Sequence, residues 1–283
     1  MNFPALGVEQ FGRELILTKD LDPIYVALHN LSLPPAVLNR WLLTYWVFYS
    51  AGVACYLAED DEPARFWVRM VAAAANVEVC PAGGRWSRGA ERRHMRGALA
   101  MRTVEKLIDQ YAEDPAEMVQ LLGAKAMEGA TSLPCATVMN RVKKHLGFGD
   151  WIAFKAADML ERCAGVPIDF AAAEVFMFDD PKKAALKAWG TLMGPLVEPV
   201  PSDGDKILDV VAYLSAKFAD LKAPPRDDRQ IGLQEIETVL CKWKSHTNGK
   251  YPLGKDTREI RHEVMKWTKC SQLAERFLRA LPS

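Results

Sequence analysis

Helix-start signals recur along this chain, while the alternating apolar and polar pattern of a β-strand is nearly absent. Proline follows an acidic residue at Asp114-Pro115 and at Asp180-Pro181, and serine precedes aspartate at Ser202-Asp203. These residue types cap a helix N-terminus or fit into its first turn. The sequence therefore predicts an all-α fold, with roughly a dozen helices if they have ordinary lengths.

The start signals and the apolar periodicity predict where individual helices lie and how the chain divides. The predicted helices run from Pro35 to about Glu59, from Asp61 onward with Pro63 in the first turn, from Asp114 to about Glu128, from Asp150 as N-cap, from Lys182 to Met193 and from Ile207 to Leu221. The proline-rich segment at 223–232 is the best candidate linker. We therefore expect a helical domain at 1–222 and a basic helical segment at 232–283 that packs on the same site or contributes to it.

The composition excludes several classes of protein. Lysine and arginine balance aspartate and glutamate at 36 each, so a polyanion site must come from a local cluster of charge. The six cysteines are scattered singly, which argues against a zinc ribbon, an iron–sulfur cluster and a disulfide scaffold. We predict no metal site and identify no cofactor.

One apolar run needs a structural explanation. Residues 41–57 are almost free of charge, but the run falls short of the ~20 residues that a spanning helix needs. A buried central helix is the better interpretation. The N-terminus has no basic region followed by an apolar core, so we expect no signal peptide, no membrane partner and a cytoplasmic protein.

A Gly-x-Gly turn in Leu146-Gly147-Phe148-Gly149 precedes a predicted helix. Glycines permit positive φ and close backbone approach, and a helix N-terminus offers unpaired N–H groups to a phosphate. A plain interhelical turn explains the pattern equally well. On the first interpretation we predict that DNA is contacted by Gly147, Phe148, Gly149, Trp151 and Lys155.

A basic block at 85–96 contains five arginines and His94 but a single glutamate. On a helix, Arg88, Arg92 and Arg96 would share one face. Guanidinium groups bind phosphate and carboxylate oxygens in a bidentate manner. A solvated charged face is the plain alternative, but the excess of one sign favours an anion site.

Two further features have both a plain and a functional interpretation. Near the C-terminus, Lys242, Lys244 and Lys255 interleave with Trp243, His246 and Tyr251, a pattern typical of a polyanion surface or of an ordinary amphipathic helix. Asp169 follows Pro167-Ile168 and precedes an apolar helix, where it is either an N-cap or a functional carboxylate.

The hairpin, its following helix and Asp169 together resemble the helix-hairpin-helix DNA glycosylases. Asp169 lies 22 residues after Gly147, since 169 − 147 = 22, and this is the interval of the catalytic aspartate in those enzymes. The position of the catalytic lysine in their bifunctional members falls on Trp151 here, which argues against Schiff-base lyase chemistry. The resemblance implies a helix-hairpin-helix glycosylase-like bundle, with the hairpin at about 133–165 and a C-terminal helical extension.

The chain resembles more closely the bacteriophage α-glutamyl/putrescinyl thymine pyrophosphorylases, or amino acid:DNA transferases. The similar stretches are Trp41–Glu59, Trp86–Gly97 and Glu237–Ile260. The resemblance implies an enzyme in the cytoplasm of an infected bacterium that acts on DNA carrying phosphorylated or pyrophosphorylated 5-hydroxymethyluracil. An amino acid such as glycine, or a polyamine such as putrescine, displaces the (pyro)phosphate from the 5-methylene carbon after the base is flipped.

This chemistry implies roles for the candidate residues. Asp169 would orient or deprotonate the amine, and His94 or His246 would act as an acid. The leaving group or the substrate would be bound by Arg88, Arg92, Arg93, Lys242, Lys244, Tyr251 and Lys255. Two alternatives are a DNA glycosylase that acts on a modified base and a non-enzymatic helix-hairpin-helix DNA-binding protein.

Overall fold

The computed structural model describes residues 5–127, 129–194 and 200–283. Within these ranges the chain forms fifteen α-helices and one pair of two-residue strands, so the predicted all-α class is confirmed. The first eight helices are α1 (Val8–Leu17), α2 (Pro23–Leu31), α3 (Pro35–Phe48), α4 (Ala51–Ala58), α5 (Pro63–Ala75), α6 (Gly97–Tyr111), α7 (Glu117–Leu122) and α8 (Cys135–Val142). The others are α9 (Asp150–Ala164), α10 (Ala172–Val175), α11 (Asp179–Leu192), α12 (Asp203–Lys217), α13 (Leu233–Thr247), α14 (Lys255–Met265) and α15 (Gln272–Ala280).

The chain forms two compact units that are interleaved in sequence. We call residues 27–169 and 258–281 the hairpin unit. We call the described residues of 1–26, 170–257 and 282–283 the terminal unit. The division into 1–222 and 232–283 is a division along the chain, and it stays a prediction.

The apolar run at 41–57 is buried, as predicted, but it forms two helices instead of one. Helix α3 ends at Phe48, and Tyr49 adopts a left-handed backbone with φ +52°. Ser50 then caps α4 by accepting a hydrogen bond from the Val53 N–H at 3.4 Å. The expectation of one helix from Pro35 to Glu59 was therefore wrong. None of the described helices combines the length and apolar character needed to span a bilayer.

Other predicted helix boundaries had mixed outcomes. Helix α5 begins at Pro63, and Ser202 caps α12 by accepting the Asp205 N–H at 3.2 Å, as the start signals indicated. The helix predicted from Asp114 to Glu128 is instead the short α7, which ends at Leu122 with Gly123 as its C-cap and is followed by a 3-10 turn at Ala124–Met127. Asp114 accepts the Ala116 N–H at 2.8 Å within the preceding turn. Glu128 and residues 195–199 lie outside the described residues.

The remaining predicted boundaries were displaced by one to four residues. Helix α9 has Gly149 as its N-cap, so Asp150 is the first helical residue and not the cap. Helix α11 begins at Asp179, ahead of the predicted Lys182, and α12 ends at Lys217, ahead of Leu221. The signals thus placed the helices but not their ends, which depend on local hydrogen bonding.

A helix, a turn and a helix occupy the residues predicted for the hairpin. Helices α8 and α9 are joined by residues 143–149. Just outside them, β1 (Leu133–Pro134) and β2 (Ile168–Asp169) pair in parallel. The likeness of this arrangement to the glycosylases stays a prediction.

Candidate functional site

The first glycine of the hairpin is required by the fold. Gly147 has φ +81°, a conformation that side chains with a Cβ adopt only at a cost. A Cβ at this position would lie 2.5 Å from Thr103 Oγ1 and 3.3 Å from Met95 Cε. Backbone conformation and packing therefore both select glycine here.

We expect Gly147→Ala to lower the free energy of unfolding by about 2 kcal/mol or more, because the added methyl group meets Thr103 and the left-handed backbone is strained. The matched control is Gly84→Ala, since Gly84 also has positive φ (+74°) but open space around it. The difference between the two variants in free energy of unfolding, measured by chemical denaturation, isolates the effect of the clash. Equal losses in the two variants would contradict close packing at Gly147.

A histidine holds the start of the turn in place. His145 Nδ1 lies 3.0 Å from the Val142 carbonyl oxygen, and its Nε2 lies 2.8 Å from the Tyr111 hydroxyl. Because a carbonyl oxygen can only accept, Nδ1 carries the proton and Nε2 accepts from the tyrosine. Burial lowers the pKa of His145, which favours this neutral form. Sequence reasoning missed this pair, which joins residues 34 positions apart.

A buried arginine supports the turn from behind. Arg92 is 2% exposed; its Nη1 donates to the Gly147 carbonyl at 2.8 Å and its Nε donates to the Val47 carbonyl at 3.2 Å. The guanidinium lies 5.4 Å from the Phe148 ring centroid. Burial lowers the pKa of Arg92 to about 10. Arg92 thus keeps a positive charge directly behind the hairpin backbone.

The second glycine is not required by the fold in the same way. Gly149 is the N-cap of α9 with an extended backbone (φ −86°, ψ −173°), and a Cβ added there would meet no atom within 4 Å. The first N–H groups of a helix have no partner within the helix, and they carry partial positive charge. Gly149 therefore leaves these donors uncovered by any side chain of its own.

A cavity of about 390 Å³ lies at this helix end. Arg92 Nη2 is buried and has no hydrogen-bond partner among the described residues. His94 is exposed at the cavity, and burial together with the charge of Arg92 lowers its pKa. The lining residues are Glu91, Arg92, His94, Gly149, Asp150, Trp151 and Ile152. Helix N–H donors, a guanidinium and an imidazole around one space can bind an anion.

Asp150 and Trp151, which also line the cavity, have partners within the fold, whereas Glu91 is exposed. Asp150 forms an ion pair with Lys143 at 2.9 Å, so part of its negative charge is offset. Trp151 is partly exposed and packs edge-on against Tyr49, with ring centroids 5.0 Å apart. The indole therefore offers an aromatic wall beside the anion-binding groups.

The outer side of the hairpin is a shallow depression of about 610 Å³ that includes Gly149. Lys144 is exposed there and has no ion pair in the part of the chain that the structure describes. Phe148 lines the same depression, yet it is only 4% exposed, so its ring is largely covered. Lys155 pairs with Asp158 at 3.2 Å and lines neither the cavity nor the depression.

The basic block is not a helix, which corrects the expectation of a shared face for Arg88, Arg92 and Arg96. Only Ala90–Arg92 forms a 3-10 turn, and Arg96 is the N-cap of α6. The chain is extended at Gly89. Packing requires glycine at this position, because an added Cβ would clash with the Tyr49 carbonyl oxygen.

Other arginines of the block donate to backbone carbonyls. Arg88 donates to the carbonyls of Met95 (3.0 Å), Ser87 (2.8 Å) and Ala73, and its guanidinium lies 4.2 Å from the Phe48 ring centroid. Burial lowers the pKa of Arg88 to about 10. Its donors are thus directed into the fold.

Arg93 differs from Arg88 because it is exposed. Its Nε donates to the Ala90 carbonyl at 2.6 Å. Because Arg93 is exposed, the rest of its guanidinium remains available to a ligand.

Asp169 lies in β2 and is exposed. Its carboxylate accepts a hydrogen bond from the Ser132 hydroxyl. The following helix α10 has Ala171 as its N-cap, and the Ala171 N–H donates to Glu174 Oε2 at 2.8 Å. The N-cap interpretation of Asp169 was therefore wrong. A role for its carboxylate in catalysis stays a prediction, and Asp169 does not line the cavity at α9.

The aromatic residues of the C-terminal motif lie inside the terminal unit. His246 is 3% exposed; its Nε2 accepts the Leu6 N–H at 3.0 Å, and its Nδ1 lies 2.8 Å from the Tyr251 carbonyl. Both ring nitrogens are therefore engaged, with the proton on Nδ1. Trp243 is 2% exposed and donates to the Leu6 carbonyl, and Tyr251 is 5% exposed. These buried rings are not stacking platforms, in contrast to the predicted polyanion surface.

The lysines of this motif all have partners within the terminal unit. Lys242 pairs with Asp256 at 2.7 Å and Lys244 pairs with Asp180 at 2.6 Å. Lys255 donates to the Lys250 carbonyl at 3.2 Å. Lys244 and Lys255 are partly exposed, so they could still contact an anion.

The described residues contain no group of three histidine, cysteine, aspartate or glutamate side chains that could hold a metal ion. All six cysteines are free.

Comparison with known proteins adds a family. A model of the family described as amino acid:DNA transferase matches residues 13–250. The chain is 45% identical over 293 residues to a protein named glycinyltransferase from Pseudomonas phage PaMx11, which covers 99% of this chain and 98% of that protein. It is 26% identical over 264 residues to a putrescinyltransferase from Delftia phage PhiW-14, which covers 84% of this chain and 72% of that protein.

Proposed function

The chain belongs to the amino acid:DNA transferase family, and from this membership we propose the reaction, the amine and the site. The reaction is attack of an amine on the 5-methylene carbon of phosphorylated or pyrophosphorylated 5-hydroxymethyluracil in DNA. The (pyro)phosphate is displaced, and the glycosidic bond stays intact. Membership of the family supports the class of the reaction, transfer by an enzyme, and the residues of the cavity support the rest.

The proposed amine is glycine. The relative that spans nearly the whole chain bears the name glycinyltransferase, while the putrescinyltransferase is more distant. The positive charge of Arg92 at the cavity wall also suits a carboxylate better than a second ammonium group, because like charges repel. Glycine carries the carboxylate, whereas putrescine carries two amines.

We assign the site to the cavity at α9. It combines open helix N–H groups, an unpartnered nitrogen of Arg92 and the ring of His94. Its volume of about 390 Å³ is within the usual range for small ligands. We place the phosphate of the flipped base against the N–H groups and Arg92, with the pyrimidine ring on Trp151.

The shallow outer side of the hairpin is proposed to hold the DNA backbone. Lys144 and the hairpin amides supply sequence-independent phosphate contacts there. Gly149 lines both this depression and the cavity, so the hairpin separates a backbone phosphate outside from the reacting phosphate inside. Among the other predicted contacts, Arg93, Lys244 and Lys255 keep exposed surface for DNA.

In the proposed displacement, the nitrogen lone pair forms the new C–N bond while the C–O bond breaks and its electron pair leaves on the phosphate oxygen. Arg92 and the α9 N–H groups stabilise the charge that gathers on the leaving group. Asp169, which is exposed and lies outside the cavity lining, would hold the incoming amine by its charge on its way to the methylene carbon. His94 donates a hydrogen bond to the phosphate, which favours departure of the leaving group.

We expect His94→Ala to lower the rate of transfer by roughly 10- to 100-fold, since a hydrogen bond to a charged group contributes about 1.5–3 kcal/mol. Affinity for unmodified duplex should change little, because the ring faces the cavity and not the outer depression. The matched control is His29→Ala, which removes another exposed histidine of the hairpin unit. Equal losses of transfer and of duplex affinity would place His94 among the backbone contacts.

The proposed function is tested with three DNA substrates that carry 5-hydroxymethyluracil unmodified, phosphorylated or pyrophosphorylated. Each is incubated with the protein and either glycine or putrescine, digested to nucleosides and analysed by mass spectrometry. We expect a glycine-bearing thymidine from a phosphorylated substrate. Release of a free base would indicate a glycosylase, and binding without any product would indicate a DNA-binding protein.

A further inference from the structure

A chain of hydrogen-bonded side chains links the break between α3 and α4 to the basic block and to α14. Ser50 Oγ donates to Glu263 Oε1 at 2.5 Å and lies 2.7 Å from Ser87 Oγ. The Gly52 N–H donates to the same carboxylate oxygen at 3.1 Å. Ser50 is 1% exposed, whereas Ser87 and Glu263 are partly exposed. The chain of hydroxyls thus runs from the protein surface toward a carboxylate.

The hydrogen bonds of this chain have one direction. An ionised carboxylate can only accept, so the single hydroxyl proton of Ser50 points to Glu263. Ser87 must then be the donor in its contact with Ser50. This leaves the lone pairs of Ser87 Oγ as the acceptor at the outer end of this series of hydrogen bonds. An incoming N–H group would find an acceptor there that is connected to a carboxylate.

None of these three side chains lines the cavity at α9, but the segments that carry the two serines lead to its wall. Ser50 directly follows Tyr49, whose ring meets the cavity residue Trp151 at 5.0 Å. Ser87 is two residues before Gly89, whose N–H donates to the Phe48 carbonyl at 3.1 Å. The same loop then continues to the cavity wall. Both serines are therefore attached to segments that border the proposed site of displacement.

We propose that Ser87, Ser50 and Glu263 form a proton relay that receives the proton of the amine nucleophile, an inference that rests on the proposed function. As the amine nitrogen bonds to the methylene carbon and the C–O electron pair leaves with the phosphate, the nitrogen becomes an ammonium. Its proton passes to Ser87 Oγ, the proton of Ser87 passes to Ser50, and the proton of Ser50 passes to Glu263. Glu263 returns the proton to water before the next turnover.

The environment of Glu263 suits a proton acceptor. Burial raises the pKa of its carboxyl above the ordinary value, against the opposing hydrogen bonds from Ser50 and from backbone N–H groups and the charge of Lys266. Tyr45 of α3 and Cys55 of α4 also face it, and burial raises the pKa of both. Neither of these two groups ionises at neutral pH, so a pH-dependent difference between wild type and Glu263→Gln reports on Glu263.

A purely structural role of Glu263 can be tested against a matched control, Glu59, in the hairpin unit. Glu263 could serve only to cap the N-terminus of α4. Glu59 does this for α15, because its Oε1 accepts the Leu273 N–H at 2.5 Å. Glu59→Gln therefore measures the effect of neutralising a capping carboxylate without touching the relay. Glu263→Gln keeps an amide oxygen that can still accept from Ser50, but it cannot take up a proton.

The test compares transfer by wild type, Glu263→Gln, Ser87→Ala and Glu59→Gln on phosphorylated DNA with glycine, over a range of pH. We expect roughly 100-fold slower transfer in Glu263→Gln and Ser87→Ala, within the range for loss of a general base. Glu59→Gln should transfer at the normal rate. The ratio of wild-type to Glu263→Gln rate should be near one at acid pH. It should rise through the raised pKa of Glu263 and stay constant above it.

The variants also separate folding from proton transfer. If Glu263→Gln proves unstable in thermal unfolding, Ser87→Ala still tests the relay, because Ser87 caps no helix among the described residues. Ser87→Thr keeps a hydroxyl and should restore the rate. A wild-type rate and pH profile in Ser87→Ala or in folded Glu263→Gln would overturn the relay and leave Asp169 as the acceptor. Absence of transfer by wild type on every phosphorylated substrate would overturn the proposed function itself.

Discussion

Asp169→Asn should slow amine transfer by two to four orders of magnitude while the fold and the affinity for DNA stay unchanged. The loss of a carboxylate that holds or activates the nucleophile is expected to cost roughly this much. Stability should change by less than about 0.5 kcal/mol, because Asp169 is exposed and an asparagine oxygen can still accept from Ser132. The measurement is single-turnover transfer on phosphorylated DNA, with denaturation and duplex binding as controls.

The pH dependence of this variant distinguishes two roles. If Asp169 positions the ammonium group of the incoming amine, raising the pH will not restore the rate. If Asp169 is the base, more alkaline conditions will partly restore it, because the amine then arrives already deprotonated. Ser132→Ala is the matched variant, since it removes the partner of the carboxylate and keeps its charge. Transfer at the wild-type rate by Asp169→Asn would exclude both roles.

Gly149→Asp should reduce transfer by roughly 100-fold or more without destabilising the protein. Aspartate is a favoured N-cap, and its charge suits the helix dipole, so the free energy of unfolding should stay constant or rise by up to about 1 kcal/mol. The same carboxylate would occupy the first N–H groups of α9 and repel a phosphate. Two lost hydrogen bonds to a charged ligand at about 1.5 kcal/mol each correspond to that factor.

The matched control for this change is Gly7→Asp. Gly7 is also a glycine N-cap, at the start of α1, and a Cβ added there meets no atom within 4 Å. We expect a similar effect on stability and no effect on transfer. Denaturation curves and transfer rates are measured for both variants. A stable Gly149→Asp protein with normal transfer would show that no phosphate binds at the start of α9.

Local signals in the sequence predicted much of the helical framework. The serine at 202 and the proline at 63 mark helix starts because the hydrogen bond or the backbone angle they supply involves only near neighbours. The break at Tyr49 has no such signal. A left-handed tyrosine is disfavoured by itself, and it is held by packing against Gly89 and Trp151, which lie far away in the chain.

The site was predictable as a charge pattern but not as a geometry. The excess of arginine at 85–96 indicates an anion site, yet Arg88 and Arg92 donate mainly to carbonyls of Ala73, Val47 and Gly147. Those partners become neighbours only in the folded chain. The two glycines of the hairpin look alike in the sequence, and only tertiary packing distinguishes one that fills a tight space from one that leaves a helix end open.

The C-terminal motif also depends on contacts between residues that are far apart in the chain. Interleaved lysines and aromatics suggest a binding surface, but His246 and Trp243 both bond to the backbone of Leu6, more than 200 positions earlier. Contacts of this kind leave no periodic pattern in the sequence. Burial of the rings therefore became visible only with the structure.

Displacement of a phosphate from the 5-methylene carbon by an amine is tested most directly by following the bridging oxygen. DNA is prepared with a heavy-oxygen label between the methylene carbon and phosphorus and is incubated with the protein and glycine. We expect the label to leave entirely in the released (pyro)phosphate, in equal amount to the glycine incorporated. A label retained in 5-hydroxymethyluridine, or released with a free base, would contradict it.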